Sequence, residues 1–335
     1  MPFSYDANRY NAIGGNMENN DPLFVVNPKR PCIHCKGERH ARKRCEHCRK
    51  TGMTPIDLCG LWSPAAAFLV CGGPSVNKLN YQVLKERGIV SLAVNNVAGH
   101  VPVTAWCFGD PEKKFHHGLH LDPKCLTFAP TGKLGRHVRA KLPDGSYRTV
   151  DIKLRDCPGT FGFSRKAVFD APTFFTTDFA QWGRGGKQPA ENAPFRCIDT
   201  MLLGIRLLHY LGCPTIYMLG VDFEMTEKEQ YSFGQTCHAR NGRYRKQNEM
   251  LKELVPTFEK EGFKVYNCNR ESKCDVFPYA TFEEAVAACR GAIPKEPFDL
   301  ARWYEKSFSD AEVAKHPEPV SLADLRLIQE GVRKP

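Results

Sequence analysis

Ala65-Ala66-Ala67-Phe68-Leu69-Val70-Cys71, running directly into Gly72-Gly73-Pro74-Ser75, is the stretch that decides the fold. Seven apolar residues without alternation mark a strand covered on both faces, as in a parallel sheet. The glycine turn ends the strand, and a helix-like segment follows from Val76 to Gly88. Ile89 to Val94 is a second strand, ending in Asn95-Asn96, and Val103 to Phe108 a third, ending in Gly109-Asp110-Pro111. Strand, glycine turn, helix, strand is the grammar of an α/β, Rossmann-like, doubly wound and mainly parallel sheet.

Downstream, Asp199 to Leu211 has the apolar period of a helix and Gly212 stops it. Thr215 to Leu219 is a strand closed by Gly220-Val221-Asp222-Phe223. Lys264 to Asn267 is a last strand, followed by Asn269 and Ser272, and Thr281-Phe-Glu-Glu opens a helix. The domain therefore spans about 65–290. An insertion at about 113–193 breaks the rhythm and carries β-structure from Tyr147 to Leu154. Residues 1–28 read as an N-terminal extension and 294–335 as a proline- and charge-rich tail with short helices.

Ligands of such sheets bind at the carboxyl ends of the strands. The candidate site is therefore Gly72, Gly73, Pro74, Ser75, Asn95, Asn96, Asp110 and Asp222. Glycines let a phosphate approach the backbone, and a helix N-terminus offers free N–H groups. Ser75 caps that helix or donates to the phosphate, and a tight structural turn is the other reading of the same residues. Asp110 and Asp222 either hold Mg2+ or Mn2+ through donor phosphates or anchor their loops.

A separate motif lies upstream at residues 29–55. Cys32-Ile-His-Cys35 and Cys45-Glu-His-Cys48 are two CxxC pairs, and each is followed by a glycine, Gly37 or Gly52. Two knuckles of this spacing complete a closed tetrahedral shell of four cysteines for structural Zn2+. A segment so short and polar draws its folding energy from the metal. His34, His40 and His47 are nearby, but the regular cysteine spacing favours the four thiolates. His116, His117 and His120 do not have a standard ligand spacing.

Net charge is +10 over 335 residues. Nine basic residues fall between Lys29 and Lys50, opposed only by Glu38 and Glu46, so that segment holds +7 of it. Lys133 to Lys187 and Arg240, Arg243, Arg245 and Lys246 are further basic stretches. Such clustering is an electrostatic footprint for a polyanion, nucleic acid and DNA in particular, with a solvated surface as the plain alternative. Fifteen scattered cysteines without an export signal point to a reducing cytoplasm. No apolar run approaches a membrane span.

The order strand–GGPS, strand–Asn, Leu207-Leu-His-Tyr-Leu-Gly-Cys-Pro-Thr-Ile-Tyr-Met-Leu-Gly-Val-Asp-Phe223 and Tyr266-Asn-Cys-Asn-Arg270 resembles one Rossmann-like superfamily. It includes the bacterial lipooligosaccharide sialyltransferases, the MAF flagellin glycosyltransferases and the archaeal pterin diphosphokinases. The resemblance covers about 65–110 and 195–290. It implies that Gly72, Gly73, Pro74, Ser75 and Asn95 hold a donor nucleotide and that His238, after the GVDF block, is a general base. Arg196, Arg240 and Arg243 then stabilise the leaving phosphate, with Tyr231 and Tyr244 as looser candidates. Where the sialyltransferases have Thr-Ser-Gly before the helix, this chain reads Phe195-Arg196-Cys197. The paired knuckles resemble zinc ribbons and the zinc modules of chaperones.

Three functions fit. The first is a glycosyltransferase moving a sugar from a nucleotide sugar to a hydroxyl on nucleic acid, such as a hydroxymethylated DNA base. Phe161, Phe163, Phe174, Phe175 and Trp182 would then be wedges for a flipped base or the insertion's own core, the core being favoured. The second keeps the fold with a glycan, protein or pterin acceptor. The third is a non-catalytic nucleic-acid-binding protein.

Overall fold

The computed structural model describes residues 29–31, 53–55, 58, 60–86, 88–122, 125–141, 146–157, 159–163, 169–175, 199–226, 230–234 and 241–290. In chain order the strands are β1 (Lys29–Pro31), β2 (Met53–Pro55), β3 (Ala66–Val70), β4 (Val90–Val94), β5 (Ala105–Cys107), β6 (Leu126–Pro130), β7 (His137–Lys141), β8 (Tyr147–Lys153), β9 (Thr160–Phe163), β10 (Thr215–Leu219) and β11 (Lys264–Asn267). The α-helices are α1 (His117–Leu121), α2 (Thr200–Tyr210), α3 (Asn241–Glu261) and α4 (Phe282–Cys289). The chain divides into two compact units, one containing Leu58–Gly109 and Phe163–Pro297, the other Phe24–Asp57 and Asp110–Gly162.

The first unit is an α/β layer built on five parallel strands in the order β11-β10-β3-β4-β5. Chain order runs outward from β3 in one direction through β4 and β5, then returns to its other side as β10 and β11. The β3/β10 boundary is therefore the topological switch point. Successive residues of β3 serve opposite faces. Leu69 meets α2, and Phe68 meets Phe282 of α4 at 5.9 Å between ring centroids. Both side chains are fully buried, which is why this strand reads as a continuous apolar run.

Helix α2 lies close to the sheet because Gly204 has no side chain. A Cβ there would stand 2.6 Å from Leu69 Cδ1 and 3.3 Å from Leu92 Cδ2. Asp199 caps α2, its side chain accepting from Leu202 N–H at 2.8 Å. Thr281 and Glu284 form a reciprocal capping box at the start of α4. Helix α3 buries Met250, Leu251, Leu254 and Phe258. Phe258 joins Phe174, Phe175, Phe263 and His209 in one aromatic core.

One expected element is different. The helix read from Val76 to Gly88 is instead two 3-10 turns, Pro74–Lys78 and Tyr81–Lys85. Each buries a single side chain, Val76 and Leu84. Asn80 stands between the turns with non-helical φ/ψ, so no continuous apolar stripe is available to hold one longer helix.

In the second unit β1 and β2 pair antiparallel, Lys29 with Pro55 and Pro31 with Met53. This pairing closes the base of the segment carrying Cys32, Cys35, Cys45 and Cys48. Those cysteines lie outside the described residues. Strands β6 and β9 are neighbours, with Phe128 and Phe161 in contact at 5.8 Å. Strands β7 and β8 form an antiparallel hairpin, of which β8 matches the β-structure expected from Tyr147 to Leu154.

Candidate functional site

The site is assembled at the carboxyl ends of β3, β4, β10 and β11, all in the first unit. After β3 the chain turns through Gly72-Gly73-Pro74-Ser75, and after β10 through Gly220-Val221-Asp222. Gly73 N–H donates to Gly220 O at 2.8 Å. A Cβ on Gly73 would lie 2.5 Å from that oxygen and 2.6 Å from Asp222 Oδ2. Gly220 adopts φ +66°, and a Cβ there would lie 2.3 Å from Cys71 O. Both glycines are therefore required by the close approach of two backbones.

Asp222 receives the next donors. Its Oδ2 accepts from Ser75 N–H at 2.8 Å, and its Oδ1 accepts from the Ser75 hydroxyl and from Asn269 Nδ2 at 2.9 Å. Lys273 N–H donates to Asp222 O at 2.8 Å, and Asn267 and Ser272 side chains donate to Val221 O. The N–H groups of Gly73 and Ser75, expected to face a phosphate, are donated within the protein. Of the two readings of this turn, the geometry supports the structural one. Asp222 and Ser75 clamp the loops on either side of the switch point.

Asn95 lies at the end of β4 in the left-handed region, φ 53°. Its Oδ1 accepts from Gly109 N–H at 3.0 Å, and its carbonyl accepts from Trp106 Nε1 at 2.9 Å. Among the described residues the other two left-handed ones besides glycine are Phe223, φ 55°, and Phe233, φ 58°. Phe223 follows Asp222 and stacks on Tyr244 at 5.2 Å. Phe233 stacks on His100 at 4.4 Å, and its N–H donates to Asn77 Oδ1 at 3.2 Å. The N–H of its neighbour Ser232 donates to Gly72 O at 2.9 Å, and Tyr231 lies over Gly72. All three strained backbones thus fall on the loops at one edge of the sheet. Such strain persists only where surrounding structure enforces it, and it concentrates at functional sites.

Sequence reading missed one residue of this edge. Asp199 caps α2 with one oxygen, while its Oδ2 is buried and lacks a hydrogen-bond partner. Burial raises its pKa, partly offset by the Leu202 N–H and by the positive charge of Arg243. The only sequence signal was an acid at the first position before an apolar helix, which reads as an ordinary cap. Burial also pushes the thiols of Cys71 and Cys107 upward, with Asp199 adding to it. This makes them poor nucleophiles.

The remaining candidates are distributed as follows. Asp110 belongs to the second unit, where its carboxylate accepts from Lys114 Nζ at 3.2 Å. Asn96 is the second residue of the 3-10 turn Asn95–Gly99 that follows β4. Arg243 lies in the first turn of α3. Arg196, His238 and Arg240 lie outside the described residues, as does Trp182. Among the described residues no three His, Cys, Asp or Glu side chains gather in a way that could hold a metal ion. Phe161, Phe163, Phe174 and Phe175 are all buried, which settles those four as core. No helix among the described residues is long and apolar enough to cross a membrane.

Fold and edge together define an α/β protein of the doubly wound class, whose hydrogen-bonded polar loops gather at a switch point where ligands of that class bind. The chain matches no protein-family model and no curated protein sequence. A solved structure of a MAf glycosyltransferase from Magnetospirillum magneticum is similar over 72% of this chain and 39% of its own, at a TM-score of 0.34 and 12% identity. The chain thus spans about two fifths of that structure's length. A likeness at this level leaves the activity to be argued from the site.

Proposed function

We propose that this chain is a glycosyltransferase that binds a nucleotide sugar at the carboxyl edge of the sheet and passes the sugar to a hydroxyl on nucleic acid, DNA in the first instance. The observation that carries the reading is the gathering of Asn95, Asp199, Asp222, Phe223 and Phe233 on loops around one switch point. A purely structural sheet edge does not require a buried carboxyl with an unpartnered oxygen beside several strained backbones.

In this reading the Asp222–Ser75 clamp fixes the two loops, and Asn95 and Asn96 contact the donor nucleotide. Arg243 neutralises the leaving phosphate, helped by Arg196 and Arg240. His238 deprotonates the acceptor hydroxyl. Gly234 follows the segment that rests on Gly72, and Asn241 is tied to Met225 by two hydrogen bonds of 2.8 and 3.0 Å. Asp199 is a second acid–base group. The four-cysteine module holds a structural Zn2+ and adds its positive charge to the grip on nucleic acid.

The test is turnover of a panel of nucleotide sugars with and without hydroxymethylated duplex DNA, reading nucleotide release and DNA mass. DNA-dependent release with a sugar-sized mass gain, abolished in His238→Ala, is the expected result. Release without DNA modification moves the acceptor to a glycan, protein or pterin. No release from any donor overturns the enzyme reading.

A further inference from the structure

We infer that the β7–β8 hairpin is a nucleic-acid-binding ribbon, one outer face of which lies against the phosphates and groove of a duplex. The inference rests on the proposed choice of nucleic acid as acceptor, and it concerns the grip on the duplex, not the transfer step.

The hairpin has two distinct faces. Val138, Ala140 and Val150 are buried, and Leu154 just beyond β8 is buried as well. Residues of opposite parity are turned the other way. Arg139 is exposed and stands opposite exposed Thr149 in the register, and Lys141 stands opposite Tyr147. Tyr147 is 42% exposed and is one of two large hydrophobic side chains so placed among the described residues. Arg148, on the alternate face near the free end, is exposed too.

The charge of the segment is one-sided. From Lys133 to Arg155 the basic residues are Lys133, Arg136, Arg139, Lys141, Arg148, Lys153 and Arg155, against Asp144 and Asp151. Arg136 is engaged with the buried Glu112 at 3.2 Å, which ties the base of the hairpin to the rest of the second unit. No salt bridge among the described residues involves Arg139 or Arg148.

A phosphate backbone suits this surface better than an acidic protein or a lipid headgroup layer. A two-stranded ribbon has the width that the major groove of a duplex admits. Five residues of strand span about 17 Å, enough to follow several phosphates. An exposed tyrosine between cations supplies a ring for sugar or base contact, with no cluster of exposed apolar side chains beside it among the described residues.

The experiment measures binding of the full chain to a duplex of about 20 base pairs by fluorescence anisotropy across a salt series, with no donor present. Wild type is expected to show a steep fall of affinity with salt. Arg139→Gln/Lys141→Gln, on the face that carries Tyr147 and Thr149 in the register, is expected to lose about tenfold in affinity and to flatten the slope of log K against log salt by about 1 to 2. Tyr147→Ala is expected to weaken binding with the slope unchanged. Hydrogen exchange of the wild-type chain, which needs no variant to fold, is expected to show duplex-dependent protection across 137–153. An unchanged slope in a double variant that keeps the wild-type Tm, or protection confined to other segments, overturns the inference. Absence of duplex binding, or preference for phosphatidylserine vesicles over duplex, overturns it as well. Donor turnover is read separately. Ribbon binding without transfer refutes the enzyme reading alone, and transfer with an indifferent hairpin refutes the ribbon alone.

Discussion

Asp222 accepts both hydrogen bonds that Ser75 can offer, the backbone N–H at 2.8 Å and the hydroxyl. The two residues are 147 positions apart and bind the turn after β3 to the turn after β10. Asp222→Ala leaves Ser75 N–H and Asn269 Nδ2 without that acceptor, at an expected cost of about 2–3 kcal/mol. Ser75→Ala removes only the hydroxyl and is expected to cost about 1 kcal/mol. Urea denaturation of the two variants checks the order. Equal, negligible losses would show that the clamp does not hold the edge together.

Gly220 makes the same junction sterically. Its φ of +66° and the 2.3 Å that would separate a Cβ from Cys71 O leave no room for alanine. Gly220→Ala is expected to cost more than about 3 kcal/mol or to prevent folding. Gly132→Ala is the control, since a Cβ there meets nothing within 4 Å. Soluble yield and Tm of the pair distinguish a junction effect from a general intolerance of alanine.

Much of this architecture was legible in the sequence. The continuous apolar run of β3 is read correctly because burial on both faces removes alternation, and β4 and β10 are read as strands between their glycine and asparagine turns. Helices α2 and α4 are read from their apolar period and their caps, Asp199 and Thr281. The rest depends on contacts that no local pattern carries. Asp222 meets Ser75 only after the sheet is assembled, so a Gly-Gly-Pro-Ser turn looks like a phosphate loop until its N–H groups are traced to their acceptors. The Val76–Gly88 helix fails because Asn77 and Asn80 compete with the helical backbone and only Val76 and Leu84 find a core. Helix α3 goes unread because its basic first turns resemble a solvated loop, although Met250, Leu251, Leu254 and Phe258 supply the buried stripe.

Asp199 offers a test with a sign unusual for a carboxylate. Its folded-state pKa is raised, chiefly by burial. The folded state therefore keeps the proton where the unfolded chain has already lost it. That contribution is fully present below the unfolded pKa and is lost as pH rises through the folded one. Asp199→Asn retains an oxygen for the Leu202 N–H and carries no charge. It is expected to be at least as stable as wild type at about pH 7 and to lose that advantage near about pH 4. Asp199→Ala is expected to lose about 1 kcal/mol with the cap. If Asp199 serves in acid–base chemistry, Asp199→Asn abolishes transfer while the Tm holds.

The zinc module is tested by metal content. One Zn2+ per chain is expected, bound by Cys32, Cys35, Cys45 and Cys48. Cys32→Ser/Cys35→Ser is expected to lose it, because half a tetrahedral thiolate shell does not retain the ion. Zinc retained at one equivalent in that variant would place the metal elsewhere. The pairing of β1 with β2, Arg30 opposite Thr54, gives a second readout, since release of the metal should raise amide exchange at those strands.

His120 carries the opposite linkage. It is buried in α1, its Nε2 3.4 Å from Glu112 O, and burial lowers its pKa to about 4 from 6.5. The nearby Glu112 draws it up and His117 pushes it down, but desolvation dominates. Between pH 6.5 and about 4 the unfolded chain binds a proton that the folded chain refuses, so stability falls as pH falls through that window. The full effect is about 3 kcal/mol. His120→Asn has no group to titrate. Its stability measured against that of wild type should rise by that amount on going from about pH 7 to about pH 4. A difference that does not change with pH would mean that His120 is protonated in the folded chain and that the second unit tolerates the buried charge.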